Sequence, residues 1–75
     1  MLRLDIRLNG ADSVREFVSI ANRFPFTISL SQGRAMVDGK SILGVFSLDQ
    51  NQPIVLSAFS DHHSELLEAL EKYAC

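Results

Sequence analysis

Hydrophobic and polar positions along this chain change period several times, and each change marks an element. Leu2, Leu4, Ile6 and Leu8 alternate with Arg3, Asp5 and Arg7, which predicts a strand with one buried and one wet face. Asn9-Gly10 is turn chemistry and ends it. Val14, Phe17, Val18, Ala21 and Phe24 then recur at helical spacing, with Arg15, Ser19, Asn22 and Arg23 facing out. Ser13-Val14-Arg15-Glu16 reads as a capping box, and Pro25 stops the helix, predicted over about 14–23.

Phe26, Ile28 and Leu30 alternate with Thr27, Ser29 and Ser31 as a second half-buried strand. A tight turn at Gln32-Gly33 and a return strand from Arg34 to Val37 complete a hairpin. A short helix follows from Ser41 to about Leu48, and a last strand from Ile54 to Phe59 buries Ile54, Leu56 and Ala58. Ser60 or Asp61 caps a final helix with Leu66, Leu67, Leu70 and Tyr73 inward, and Glu68 and Lys72 form an i,i+4 pair. The order β-α-β-β-α-β-α, with one-sided strands and amphipathic helices, predicts a two-layer α+β sandwich with the helices on one face of the sheet.

Composition narrows the class. Seventy-five residues, 47% of them hydrophobic, suit one small domain spanning 1–75. A net charge of −2 gives no basic footprint for nucleic acid. No apolar run approaches the roughly 20 residues of a membrane span, and the charged alternation after Met1 is unlike a signal peptide. A single cysteine, Cys75, allows no internal disulfide and fits a reducing cytoplasm.

Catalytic constellations are absent from the pattern. His62 and His63 sit beside Asp61 at the start of the last helix, where a solvated helix start explains them. With Cys75 they show no metal-ligand spacing, so no metal or cofactor is expected. Glu65 and Glu68 lie on a wet helix face and suggest no acid–base pair. The chain is not expected to be an enzyme.

One stretch stands out. In Lys40-Ser41-Ile42-Leu43-Gly44-Val45-Phe46-Ser47-Leu48 a hydroxyl opens a short helix whose apolar residues are too crowded for one face to hide. At least one of Ile42, Leu43 and Phe46 must face the core, and the others are free for a partner. As a bare cap, Ser41 would contribute about 1 kcal/mol.

That stretch, with the order of elements and the helix ending Ala21-Asn22-Arg23-Phe24, resembles HPr, the phosphocarrier family of the bacterial sugar phosphotransferase system. The resemblance covers nearly the whole chain. It implies an open-faced β-sandwich with a four-stranded antiparallel sheet. In the family a histidine in a Gly-x-His-Ala-Arg-Pro-like segment carries the phosphoryl group and a nearby arginine steadies it. Here the segment reads Asn9-Gly10-Ala11-Asp12-Ser13-Val14-Arg15, with neither histidine nor proline. Ungapped, Gly10 takes the histidine position and Asp12 the arginine position; with a shortened loop, Asp12 takes the histidine position. Arg15 lies near but is no nucleophile. Phosphocarrier chemistry is therefore expected to be lost, as in the HPr-like regulator Crh.

The regulatory serine position is kept and falls on Ser41. In the family this serine is phosphorylated by HPr kinase/phosphorylase, and the product binds a catabolite control protein in carbon catabolite repression. The resemblance implies the same partners here, with Lys40 as a neighbouring cation and Ile42, Leu43 and Phe46 as docking surface. It also implies a monomer or a homodimer, with the N-terminal strand as a candidate for exchange. Two other readings stand beside this one: a phosphocarrier with an atypical site, and an HPr-fold interaction module without a phosphotransferase link.

Overall fold

The structure, a computed structural model, describes residues 1–60 and 64–74. The elements run β1 (Leu2–Ile6), α1 (Gly10–Ala21), β2 (Ile28–Gln32), β3 (Ala35–Asp38), α2 (Ile42–Phe46), β4 (Ile54–Ala58) and α3 (Ser64–Ala69), followed by a 3-10 turn, Glu71–Tyr73. The sheet is fully antiparallel in the order β1-β4-β2-β3.

The period-two pattern fixes which face of the sheet is dry. Val37, Leu30, Leu56 and Leu4 stand opposite one another across all four strands. Leu30 and Leu56 are fully buried, with Val37 and Leu4 at the margins. One residue along, Asp38, Ser29, Ser57 and Arg3 form the matching row on the open face. Val14, Phe17, Val18 and Ala21 of α1, Val45 and Leu48 around α2, and Leu66 and Leu70 around α3 join Leu30 and Leu56 in one core cluster. The result is the predicted α+β open-faced sandwich.

Several local expectations give way to tertiary contacts. Helix α1 begins at Gly10, a full turn before Val14, and ends at Ala21. Ser13 lies inside it and forms no capping box, because the Glu16 carboxylate is drawn instead to Lys72 and to the Tyr73 hydroxyl. Asn22 terminates α1, its Nδ2 donating to the Val18 carbonyl at 2.8 Å, so the helix stops before Pro25 acts. The hairpin loop is Gly33-Arg34 rather than Gln32-Gly33: Gln32 still pairs with Ala35, and Gly33 takes φ +58° at the first loop position.

The Glu68–Lys72 pair does not form. The α-helix ends at Ala69 and tightens into the 3-10 turn, which breaks the i,i+4 alignment and sends Lys72 to Glu16. Leu67 is exposed, whereas Leu66, Leu70 and Tyr73 are buried as the pattern predicts. The readings placed on Asp61, His62, His63 and Cys75 lie outside the described residues. Among the described residues, no helix is long and apolar enough to cross a membrane, and no cluster of His, Cys, Asp and Glu could hold a metal ion.

Candidate functional site

The two sequence-predicted regions lie at opposite ends of α1: the segment 9–15 opens it, and Lys40 reaches its C-terminal end. At the N-terminal end, Asn9 occupies the cap position in extended conformation but makes no side-chain cap bond. The Gly10 amide donates instead to Gln50 Oε1 at 2.9 Å, a partner forty residues away. The loop carrying Gln50 is held by Gln32, whose Nε2 donates to the Asp49 carbonyl at 2.6 Å and whose Oε1 accepts from the Asp49 amide at 2.8 Å. Asp12 lies exposed in the first turn and pairs with Arg15, Oδ1 to Nη1, at 2.9 Å. The arginine is thus engaged by Asp12. In sequence, the segment 9–15 carries a carboxamide, a carboxylate and a guanidinium, and no histidine.

At the other end, Asp38 to Ser41 turn the chain from β3 into α2. Gly39 packs against β2, its amide donating to the Ile28 carbonyl at 2.8 Å. A Cβ at Gly39 would lie 2.9 Å from Ile28 Cγ2 and 3.1 Å from Ile28 O, so only glycine allows this approach. The Asp38 carboxylate accepts from the Lys40 amide and its carbonyl from the Ser41 amide, closing the turn.

Ser41 then caps α2. Its Oγ accepts from the Gly44 amide at 3.2 Å and its carbonyl from the Val45 amide at 2.9 Å. Below the cap, Val45 is 1% exposed and Leu48 is also buried. Above it Leu43 is 81% exposed, and Ile42 and Phe46 are exposed too. None of those three is a core residue. In this five-residue helix Val45 alone is buried, and Leu48, just past its end, is buried with it.

Lys40 differs from its expected role as a cation beside Ser41. Its Nζ donates to the Phe24 carbonyl at 2.6 Å, just past the end of α1, and its own carbonyl accepts from Asn22 Nδ2 at 3.1 Å. A cation at a helix C-terminus is favourably placed.

A third group escaped the sequence reading. Glu16, Lys72 and Tyr73 tie α1 to the C-terminal turn. Lys72 chiefly, with the Tyr73 hydroxyl, holds the Glu16 carboxyl below its ordinary range. Burial, reinforced by Glu16, pushes the Tyr73 phenol well above its own. Only tertiary structure brings these residues together.

Known proteins share this fold. A family model described as the "PTS HPr component phosphorylation site" matches residues 10–74. HPr-C-His from Thermoanaerobacter tengcongensis superposes with a TM-score of 0.80 at 28% identity, over 96% of this chain and 89% of that one. The phosphocarrier protein HPr from Bacillus anthracis gives 0.77 at 26% identity, over 99% and 96%. Crh of Bacillus subtilis, described as an intertwined dimer formed by swapping, gives 0.62 at 34% identity, over 96% and 80%. No curated protein sequence matches significantly. With the family model spanning α1 through the C-terminal turn, and with the sheet order β1-β4-β2-β3, the chain belongs to the HPr family of the phosphotransferase system.

Proposed function

We propose that this chain is a non-catalytic, regulatory member of the HPr family that works by binding protein partners and is controlled by phosphorylation of Ser41. The observation that carries this reading is the surface of α2, where a half-buried serine hydroxyl at the cap adjoins exposed Ile42, Leu43 and Phe46. In the modification, Ser41 Oγ attacks the terminal phosphorus of a nucleoside triphosphate. The Oγ–P bond forms, the bond to the nucleoside diphosphate breaks, and the hydroxyl proton passes to a base of the kinase. The phosphate retains oxygens that can accept from the Gly44 amide. HPr kinase/phosphorylase is the proposed donor enzyme and a catabolite control protein the proposed reader, which places the chain in carbon catabolite regulation in the cytoplasm.

Phosphocarriage fits the N-terminal end of α1 poorly. The segment from Asn9 to Arg15 supplies no phosphoacceptor nitrogen, Asp12 puts a carboxylate in the first turn, and the Gly10 amide is already bonded to Gln50. The test offers both donors to the full chain. HPr kinase/phosphorylase with ATP is expected to add one acid-stable phosphate, absent from Ser41→Ala, and enzyme I with phosphoenolpyruvate to add none. An unmodified chain in the first arm, under conditions that modify HPr, would refute the regulatory reading. An acid-labile phosphate in the second, on His62, His63 or elsewhere, would restore the phosphocarrier reading.

A further inference from the structure

We infer that Lys40 is a latch that couples Ser41 to the end of α1 and the aromatic corner Phe24-Pro25-Phe26. The inference rests on the regulatory reading of Ser41 and adds what the modification does to the rest of the molecule.

Three bonds make the latch. The Lys40 ammonium donates to the Phe24 carbonyl at 2.6 Å, Asn22 Nδ2 donates back to the Lys40 carbonyl at 3.1 Å, and Asp38 Oδ1 fixes the Lys40 amide at 2.9 Å. The last turn of α1 is otherwise closed by 3-10-type bonds, from Arg23 to the Ile20 carbonyl and from Phe24 to the Ala21 carbonyl. Beyond it, the Phe24 and Phe26 rings pack at 5.6 Å with a 41° tilt. With Pro25, Ser60, Ser64 and Glu65 they line a surface groove of about 360 Å³.

In the unmodified protein the ammonium bonds a neutral carbonyl dipole. A phosphate on Ser41 would put close to two negative charges on the adjacent residue, and a charge-assisted pair outcompetes a neutral acceptor. The Asp38 carboxylate, two residues before Lys40, repels that phosphate and makes a compensating cation more favourable. Lys40 needs only a side-chain rotation to reach it, because its backbone stays pinned by Asn22 and Asp38. The Phe24 carbonyl is left to water, and the turn that carries the aromatic corner loosens. Phosphorylation thereby alters two surfaces: α2 directly, and the Phe24–Phe26 groove through Lys40.

The test uses the full chain with phosphoserine inserted at position 41 during translation, so it does not depend on any kinase. Amide hydrogen exchange at Arg23 and Phe24 is expected to rise about three- to tenfold in the phosphoserine protein, with core amides such as Leu30 unchanged. Lys40→Gln should produce the same rise without phosphate, Lys40→Arg should not, and phosphoserine added to Lys40→Gln should give no further increase. In wild-type sequence, NMR contacts between the Lys40 side chain and the Phe24 backbone should disappear on phosphorylation; this readout stands even where a variant is poorly folded. Unchanged exchange at Arg23 and Phe24 in the phosphoserine protein would overturn the latch, as would additive effects of phosphoserine and Lys40→Gln. Failure of the kinase to modify Ser41 would instead count against the regulatory reading alone.

Discussion

Gln32 and Asp49 bond each other twice, carboxamide to backbone: Nε2 donates to the Asp49 carbonyl at 2.6 Å and the Asp49 amide donates to Oε1 at 2.8 Å. One side chain at the end of β2 thus does the work of a strand partner for the loop after α2. The same loop presents Gln50 to the Gly10 amide. Replacing Gln32 with Ala is expected to cost about 1 kcal/mol in chemical unfolding. It should also raise hydrogen exchange at the Gly10 amide, although Gln32 does not touch Gly10. Exchange at Gly10 equal to wild type would show that the loop holds Gln50 without it.

Gly39 predicts a larger loss from a smaller change. The added Cβ of Gly39→Ala meets a side-chain carbon and the backbone oxygen of Ile28, and backbone oxygen cannot step aside as a side chain can. A destabilisation of about 1–3 kcal/mol is expected from the midpoint of chemical unfolding. A neutral substitution would mean that the approach of the turn to β2 is looser than its 2.8 Å hydrogen bond implies.

Glu16 and Tyr73 set opposite limbs of the stability profile. The Glu16 carboxyl is lowered in the fold, so its contribution is full above the ordinary carboxylate range and fades as pH falls through the depressed value. The Tyr73 phenol is raised, so its contribution is full below the ordinary phenol value of about 10 and fades as pH rises beyond it. Unfolding curves across pH should show the acid limb flattened in Glu16→Gln and the alkaline limb flattened in Tyr73→Phe. Profiles parallel to wild type would show that the contact contributes nothing to folding.

The two faces of α2 should separate cleanly. Leu43 is 81% exposed and Leu48 is buried beside Val45. Leu43→Asp is expected to change stability by less than about 0.5 kcal/mol, whereas Leu48→Ala should cost about 3 kcal/mol. Circular dichroism during denaturation reads both. A large loss at Leu43 would place that residue in the core.

These contrasts show what was legible in the sequence. The row Leu4, Leu56, Leu30 and Val37 could be read from alternation, because period two leaves each strand a single dry face. The Ser41 cap was legible because a hydroxyl after the Asp38-Gly39 turn has an unpaired amide three residues on. The start of α1 was not, since the Gly10 amide is satisfied by Gln50 across forty residues. Nor were the partners of Glu16 and Lys40: local rules assigned both to near neighbours, and the fold gave them Tyr73, Lys72 and the Phe24 carbonyl. The inward position of α2 went to Val45, with Leu48 just past the helix, because the helix is too short to turn a second face to the core.

In the proposed function, Ser41 and the exposed face of α2 act together as a recognition surface. Its most direct test is a calorimetric titration of the chain, with serine or phosphoserine at position 41, against a catabolite control protein. The phosphoserine form is expected to bind, the unmodified form to bind at least about tenfold more weakly, and phosphoserine protein that also carries Leu43→Asp not to bind. Equal affinity of the two forms, or full affinity in the Leu43→Asp protein, would contradict it.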